Sequence, residues 1–227
     1  MAIDGKHAIR DKSCYTALLL AVFSSQTDVV RALLPYLEGA DACVTDNNGW
    51  TAMHVACYVG QASQLDLLQN ADIDVNSVDR FGLTTLHIAA MYGHVVCCEE
   101  LLTLGASLSI GDSRGQTPLH KAAYRARLAV LIVLAPRCTQ ACLEQPDRFG
   151  RTALHLACMQ DNMDCIRHLL LLAPRLISMI DIHGNSLAHY AARYDLAEAL
   201  ALFAEHGHDT NRSLFILPEF SSIFSSF

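Results

Sequence analysis

One short pattern, G-x-[TS]-x-x-H-x-A, recurs along this chain and limits what it can fold into more than any other feature. It appears as GWTAMHVAC (49–57), GLTTLHIAA (82–90), GQTPLHKAA (115–123), GRTALHLAC (150–158) and GNSLAHYAA (184–192), with glycines 33, 33, 35 and 34 residues apart. An earlier, weaker copy, CYTALLLAV (14–22), keeps Thr16, Leu18 and Ala21 but has Cys14 for glycine and Leu19 for histidine. A period near 33 residues is too short for an independent domain. Each copy must therefore bury its apolar side against the next.

The local chemistry of a copy follows from its residue types. An aspartate stands three residues before each glycine position: Asp11, Asp46, Asp79, Asp112, Asp147 and Asp181. Asp-x-x-Gly offers a carboxylate to nearby backbone N–H groups and then a residue free to take positive φ, so it predicts a tight, hairpin-like turn. The Thr or Ser that follows can cap a helix, and Pro118 stands at a helix start. The spacing predicts a helix from Thr85 to Tyr92, stopped by Gly93, and a second from about Val95 carrying Leu101 and Leu102. Pro35, Pro136 and Pro174 are expected to end the second helix of their copies. The extra residues of the two longer copies fall in the loop after that proline.

At this level of detail the chain resembles ankyrin-repeat proteins. The third copy, DRFGLTTLHIAAMYGHVVCCEELLTLGASLSIG, follows the family pattern almost throughout, and six copies span about 11–210, at about 11–45, 46–78, 79–111, 112–146, 147–180 and 181–210. Residues 1–10 read as the end of a preceding loop and 211–227 as a partly disordered tail. The resemblance implies an all-α solenoid of stacked helix-turn-helix units with projecting β-hairpin loops. It also implies that the motif histidines tie hairpin to helix, and that the protein is a non-enzymatic interaction scaffold. An alternative is a targeting module of a larger enzyme or channel whose activity lies elsewhere. The copies are not uniform: Gln69, Ala135 and the pair Phe203-Ala204 depart from the expected Leu-Leu.

Other readings are weaker. His87, His94, Cys97 and Cys98 fall within twelve residues, but Gly93 breaks the helix that would align the two imidazoles, and none of the nine cysteines shows paired zinc-finger spacing. No metal and no cofactor are expected. Five histidines hold one framework position, and no nucleophile or phosphate-binding glycine loop accompanies them, so no catalytic residue is expected. A net charge of −7 disfavours nucleic acid as partner. No apolar run approaches the ~20 residues of a membrane span. Lys6, Arg10 and Lys12 ahead of CYTALLLAVFSS have the outline of a secretory signal, but Asp4 and Asp11 dilute it and the apolar run is a repeat helix. Cys57 and Cys158 fill a slot held elsewhere by alanine, whereas Cys138 and Cys142 lie in the long loop of the fourth copy and are the thiols to test for oxidation or metal, structural filler being the simpler reading. A monomer in the cytoplasm, or the nucleus, is the expectation.

Function should lie where the copies differ. The resemblance places partner contacts at five positions per copy: two after the Asp, one after the Gly position and two after the second small helix residue, at hairpin tips and the concave helix face. Across six copies these thirty residues include nine aromatics and seven basic residues, and none is Asp or Glu, although the chain has 23 acidic against 16 basic residues. From them, Trp50, Tyr58, Arg80, Phe81, Met91, Tyr92, Arg114, Tyr124, Arg125, Arg148, Phe149, Arg151, Arg193 and Tyr194 are the candidate partner-binding set. Tyr15, Phe23 and Lys12 complete its aromatic and basic members. Aromatics and arginine dominate binding hot spots, and arginine pairs with carboxylate or phosphate, so the expected ligand is an acidic or phosphorylated peptide. Asn76, in LQNADIDVN, has the spacing of ankyrin asparagines hydroxylated by 2-oxoglutarate-dependent oxygenases and is a candidate for that modification.

Overall fold

The computed structural model describes residues 16–37 and 42–207. Lys12, Tyr15, Asp11, Cys14, the 1–10 extension and the 211–227 tail lie outside the described residues. The chain forms two compact units that divide between Pro118 and Leu119.

In the first unit, short helices come in pairs: α1 (Ala17–Phe23) with α2 (Thr27–Leu33), α3 (Ala52–Val59) with α4 (Leu65–Gln69), and α5 (Thr85–Tyr92) with α6 (Val95–Thr103). The inner members stack, α1 on α3 and α3 on α5. The second unit opens within α7 (Pro118–Tyr124), followed by α8 (Leu128–Leu134), α9 (Gln140–Leu143), α10 (Ala153–Cys158), α11 (Met163–Leu172), α12 (Leu187–Arg193) and α13 (Ala197–Gly207). There α10 packs on α11 and α12, α8 on α11, and α12 on α13.

Every part of the motif has a job in this architecture. The Asp is buried, and one carboxylate oxygen accepts two backbone N–H groups. Asp46 Oδ1 takes those of Asn48 (2.7 Å) and Trp50 (2.9 Å), and Asp79 Oδ1 those of Phe81 and Leu83 (both 2.8 Å). Asp112, Asp147 and Asp181 repeat the arrangement. Those N–H groups are the ones a strand ladder would need. The expected β-hairpins accordingly reduce, among the described residues, to the isolated bridges Val78 to Thr84 and Ile180 to Ser186. Successive turns are linked within each unit by single bonds, Arg80 N to Asn48 O (3.0 Å), Ser113 N to Phe81 O (2.8 Å) and Ile182 N to Phe149 O (3.0 Å).

The T-x-x-H portion forms a capping box in which imidazole replaces the usual Glu or Gln. Thr84 N donates to His87 Nδ1 (3.0 Å), so Nδ1 is an acceptor and the ring proton sits on Nε2, which donates to Gln116 O (2.8 Å). His54 makes the same bonds to Thr51 and to Leu83 O (3.0 Å). A neutral histidine thus satisfies both ends of its ring, one within its copy and one in the next. The motif Ala closes the inner helix: the carbonyls of Ala56, Ala89, Ala122 and Ala191 accept the N–H of Gln61, His94, Arg127 and Leu196, each within 3.0 Å. Those alanines are fully buried, and a methyl side chain is what lets neighbouring inner helices approach.

The turn after the inner helix needs a left-handed residue. Gly60 and Gly93 supply it at φ 85° and 84°, but elsewhere Ser25, Ala126, Asp161 and Asp195 adopt φ of 50–59° without a glycine. The second helices end before the prolines as expected, at Leu33, Leu134 and Leu172. Pro35, Pro136 and Pro174 then enter a 3-10 turn at positions whose missing N–H costs nothing. The loop after Pro136 is not plain coil, because Thr139 caps the four-residue helix α9 through a bond from Cys142 N (3.2 Å). The departure at Gln69 leaves its Oε1 buried without a partner among the described residues; α4 is only five residues long because Ala62–Gln64 ahead of it forms a 3-10 turn.

Candidate partner-binding surface

In the first unit the candidate residues assemble from two elements, the ends of the inner helices and the hairpin tips. Trp50 follows Gly49, its N–H held by Asp46 and its indole Nε1 donating to Asp79 Oδ2 (3.1 Å). Its ring lies 5.3 Å from that of Tyr58, at the end of α3, and Tyr58 meets Tyr92, at the end of α5, edge-on at 4.8 Å. Tyr92 in turn stacks on His94 at 6.4 Å, and His94 Nε2 donates to Tyr58 O (3.1 Å). One motif period therefore separates rings that touch, and the result is a continuous aromatic run. Tyr58 and Tyr92 keep more than a third of their surface exposed, Trp50 is half-buried, and Met91 is half-buried beside Tyr92. At the tips Phe81 is 60% exposed, with Arg80 and Arg114 also exposed.

The second unit offers Tyr124 and Arg125 at the end of α7, where the guanidinium lies 5.9 Å from its neighbour's ring, and Arg193 and Tyr194 at the end of α12. Its hairpin tips carry exposed Arg148, Phe149 and Ile182. Arg151 differs from the other arginines. Its Nε and Nη2 grip Asp147 Oδ2 at 3.0 and 2.7 Å, and its guanidinium covers the Phe149 ring at 4.7 Å. Arg151 thus completes the turn and presents Phe149, with only 18% of its side chain exposed. Among the described residues Arg80, Arg114, Arg125, Arg148 and Arg193 take part in no ion pair.

Two features escape a reading of the motif alone. Tyr190, in the slot between motif His and Ala, donates its hydroxyl to Asp181 Oδ2 (2.9 Å) and packs edge-on against His155 at 5.1 Å. Burial disfavours the Asp181 carboxylate, but bonds from Asn185, Tyr190 and the His183 N–H outweigh it and hold the group at about 2. His155 keeps its capping bonds to Thr152, yet its Nε2 faces the Asn185 carbonyl without completing the bond made by His54 and His87. An aromatic where other copies have Val55, Ile88, Lys121 or Leu156 was the available signal. Asn76 is half-buried and joins two copies: its Nδ2 donates to Gly105 O (3.3 Å) and its Oδ1 accepts from Ser107 N (2.8 Å). Among the described residues no group of three or more His, Cys, Asp or Glu side chains is placed to hold a metal ion. No described helix is long and apolar enough to cross a membrane.

The buried histidines make stability depend on pH. Burial lowers His155 to about 4, against the pull of Asp181 and Asp147, and lowers His54 as well. The unfolded chain binds a proton at each site below about 6.5, whereas folded His155 does so only below about 4. Stability is therefore fully present above pH 6.5 and falls as pH drops toward 4, by on the order of 3 kcal/mol from His155. Urea unfolding at pH 7 and pH 4.5 should show this loss, and His155→Gln should make the slope shallower. An unchanged slope in the variant would show that His155 is not its source.

The family model for ankyrin repeats matches this chain in three overlapping stretches, residues 3–79, 60–147 and 131–213, which together take in nearly all of it. No curated protein matches it at a significant level. With the hairpin, capping box and helix pair recurring through both units, the chain belongs to the ankyrin-repeat family.

Proposed function

We propose that this chain, as an ankyrin-repeat interaction module, is a non-enzymatic scaffold for an acidic or phosphorylated peptide, the first unit offering its aromatic run with Arg80 and Arg114, and the second, on its own surface, Arg125, Arg148 and Arg193. The observation that carries this reading is the pairing of contact and charge. Trp50, Tyr58 and Tyr92 form one partly exposed aromatic surface, and Arg80, Arg114, Arg125, Arg148 and Arg193, all at variable positions, take part in no ion pair among the described residues of a protein of net charge −7. Rings contribute area at small entropic cost, and an unpaired guanidinium is available for bidentate pairing with carboxylate or phosphate.

The test uses synthetic peptides in three sets, Asp/Glu-rich, phosphoserine-containing and Lys/Arg-rich, presented to wild type and to Arg114→Glu/Arg148→Glu. Arg151 is left intact because it holds its own turn. Two reversals should weaken binding of the acidic or phosphorylated sets by about 10- to 100-fold, with the helical spectrum unchanged. Equal binding by both proteins, or preference for the basic set, rejects the reading.

A further inference from the structure

The loop that lengthens the fourth copy places two sulfurs against each other. Cys138 ends the 3-10 turn Ala135–Arg137 in extended backbone (φ −75°, ψ 143°), Thr139 caps α9, and the helical turn brings Cys142 back over Cys138. Their Sγ atoms lie 3.1 Å apart, within hydrogen-bonding contact. A disulfide bond of about 2.0 Å needs only a small further approach. Cys138 is partly exposed, and Cys142 beneath it is buried, with 7% of its surface exposed.

The other thiols differ. Cys57, Cys97, Cys98, Cys158 and Cys165 are buried, and burial pushes Cys97 and Cys165 up to about 11 and Cys98 and Cys158 up to about 12, which removes the reactive thiolate. Cys43 is exposed, but its sulfur lies against the Asp72 carbonyl at 3.8 Å. Between Cys138 and Cys142 a single S–H can sit between two sulfurs. The thiolate left by the first deprotonation accepts that bond, so the pair's first proton leaves more readily than a lone thiol's and the second less readily.

We propose that Cys138 and Cys142 form a reversible dithiol-disulfide site oxidised by glutathione disulfide. The pair loses one proton to solvent, the proton that remains passes to Cys142, and the thiolate of Cys138, the more exposed sulfur, attacks one glutathione sulfur. A Cys138–glutathione bond forms, the glutathione S–S bond breaks, and the departing glutathione thiolate takes the proton of Cys142. The Cys142 thiolate then attacks the Cys138 sulfur and expels the second glutathione thiolate, which is protonated by solvent. Two protein thiols are oxidised and one glutathione disulfide is reduced to two glutathione molecules. The product staples the 3-10 turn to α9, a few residues before the Asp147 hairpin.

Trypsin cuts after Arg137 and Arg148, so one fragment, 138–148, carries both cysteines and no other. The folded full chain is equilibrated with glutathione disulfide and glutathione, trapped with iodoacetamide and digested without reductant. Double alkylation of the fragment should fall by about tenfold as the potential rises through the site's own, with a product two hydrogens lighter than the dithiol. Cys142→Ser should instead stop at a glutathione adduct on Cys138. A persistent glutathione adduct on wild-type Cys138, or unchanged alkylation of the fragment, overturns the proposal.

Discussion

His87→Ala should lower the stability of the first unit by about 3 to 4 kcal/mol, the largest single effect expected among the histidines. The ring is fully buried, accepts from Thr84 N at 3.0 Å and lies 2.8 Å from Thr84 Oγ1, and donates to Gln116 O at 2.8 Å. Alanine removes the second half of the capping box, takes from the Gln116 carbonyl one of its donors while the Asp112 N–H (2.9 Å) remains, and opens a cavity. Trp50, the chain's one tryptophan, stands in the same unit and reports unfolding through its fluorescence. His94→Ala is the matched control: its ring is half-buried, and the loss of its bond to Tyr58 O should cost about 1 kcal/mol. Similar urea midpoints for the two variants would remove the structural role assigned to the motif histidine.

Gly150→Ala is expected to be nearly as damaging, and its comparison with Gly184→Ala separates two causes. Both glycines follow the turn aspartate and have left-handed backbone, φ 74° and 77°. A Cβ on Gly150 would lie 2.7 Å from Ile182 N and 3.0 Å from Asp181 Cα, and backbone cannot rotate away. On Gly184 it would meet nothing within 4 Å. Gly184→Ala should therefore cost only the left-handed penalty, about 1 to 2 kcal/mol, whereas Gly150→Ala adds displacement of the neighbouring turn and should exceed about 3 kcal/mol. Urea unfolding followed by circular dichroism measures both. Equal losses would mean that the turns do not rely on close stacking.

The same contrast explains what could be read from residue order. The helix Thr85–Tyr92 and its stop at Gly93 were legible because their determinants are local: a cap, a partner three residues on and a left-handed glycine. The framework Asp, Thr and His were legible because repetition identifies them by what stays constant. What was not legible was non-local or depended on a short segment. The motif did not reveal that Arg151 pairs with Asp147, four residues back. Nor did it reveal that the hairpin loops carry only isolated bridges, the aspartates taking N–H groups that a ladder would use. Helix α9 has four residues and no period to detect, and the unmade bond at His155 depends on the neighbouring copy and on Tyr190 beside the ring.

The division between a constant framework and a variable binding face is tested most directly by Tyr58→Ala/Tyr92→Ala, measured in parallel for unfolding and for binding to the acidic and phosphoserine peptides. The two rings touch each other across one repeat and are exposed, so their loss should cost about 1 to 2 kcal/mol of stability and leave the helical spectrum intact. Under the proposed function, binding should fall by about 100-fold or more, because a central pair of aromatics is removed. Peptide affinity equal to wild type in the folded double variant would contradict the assignment of function to this face.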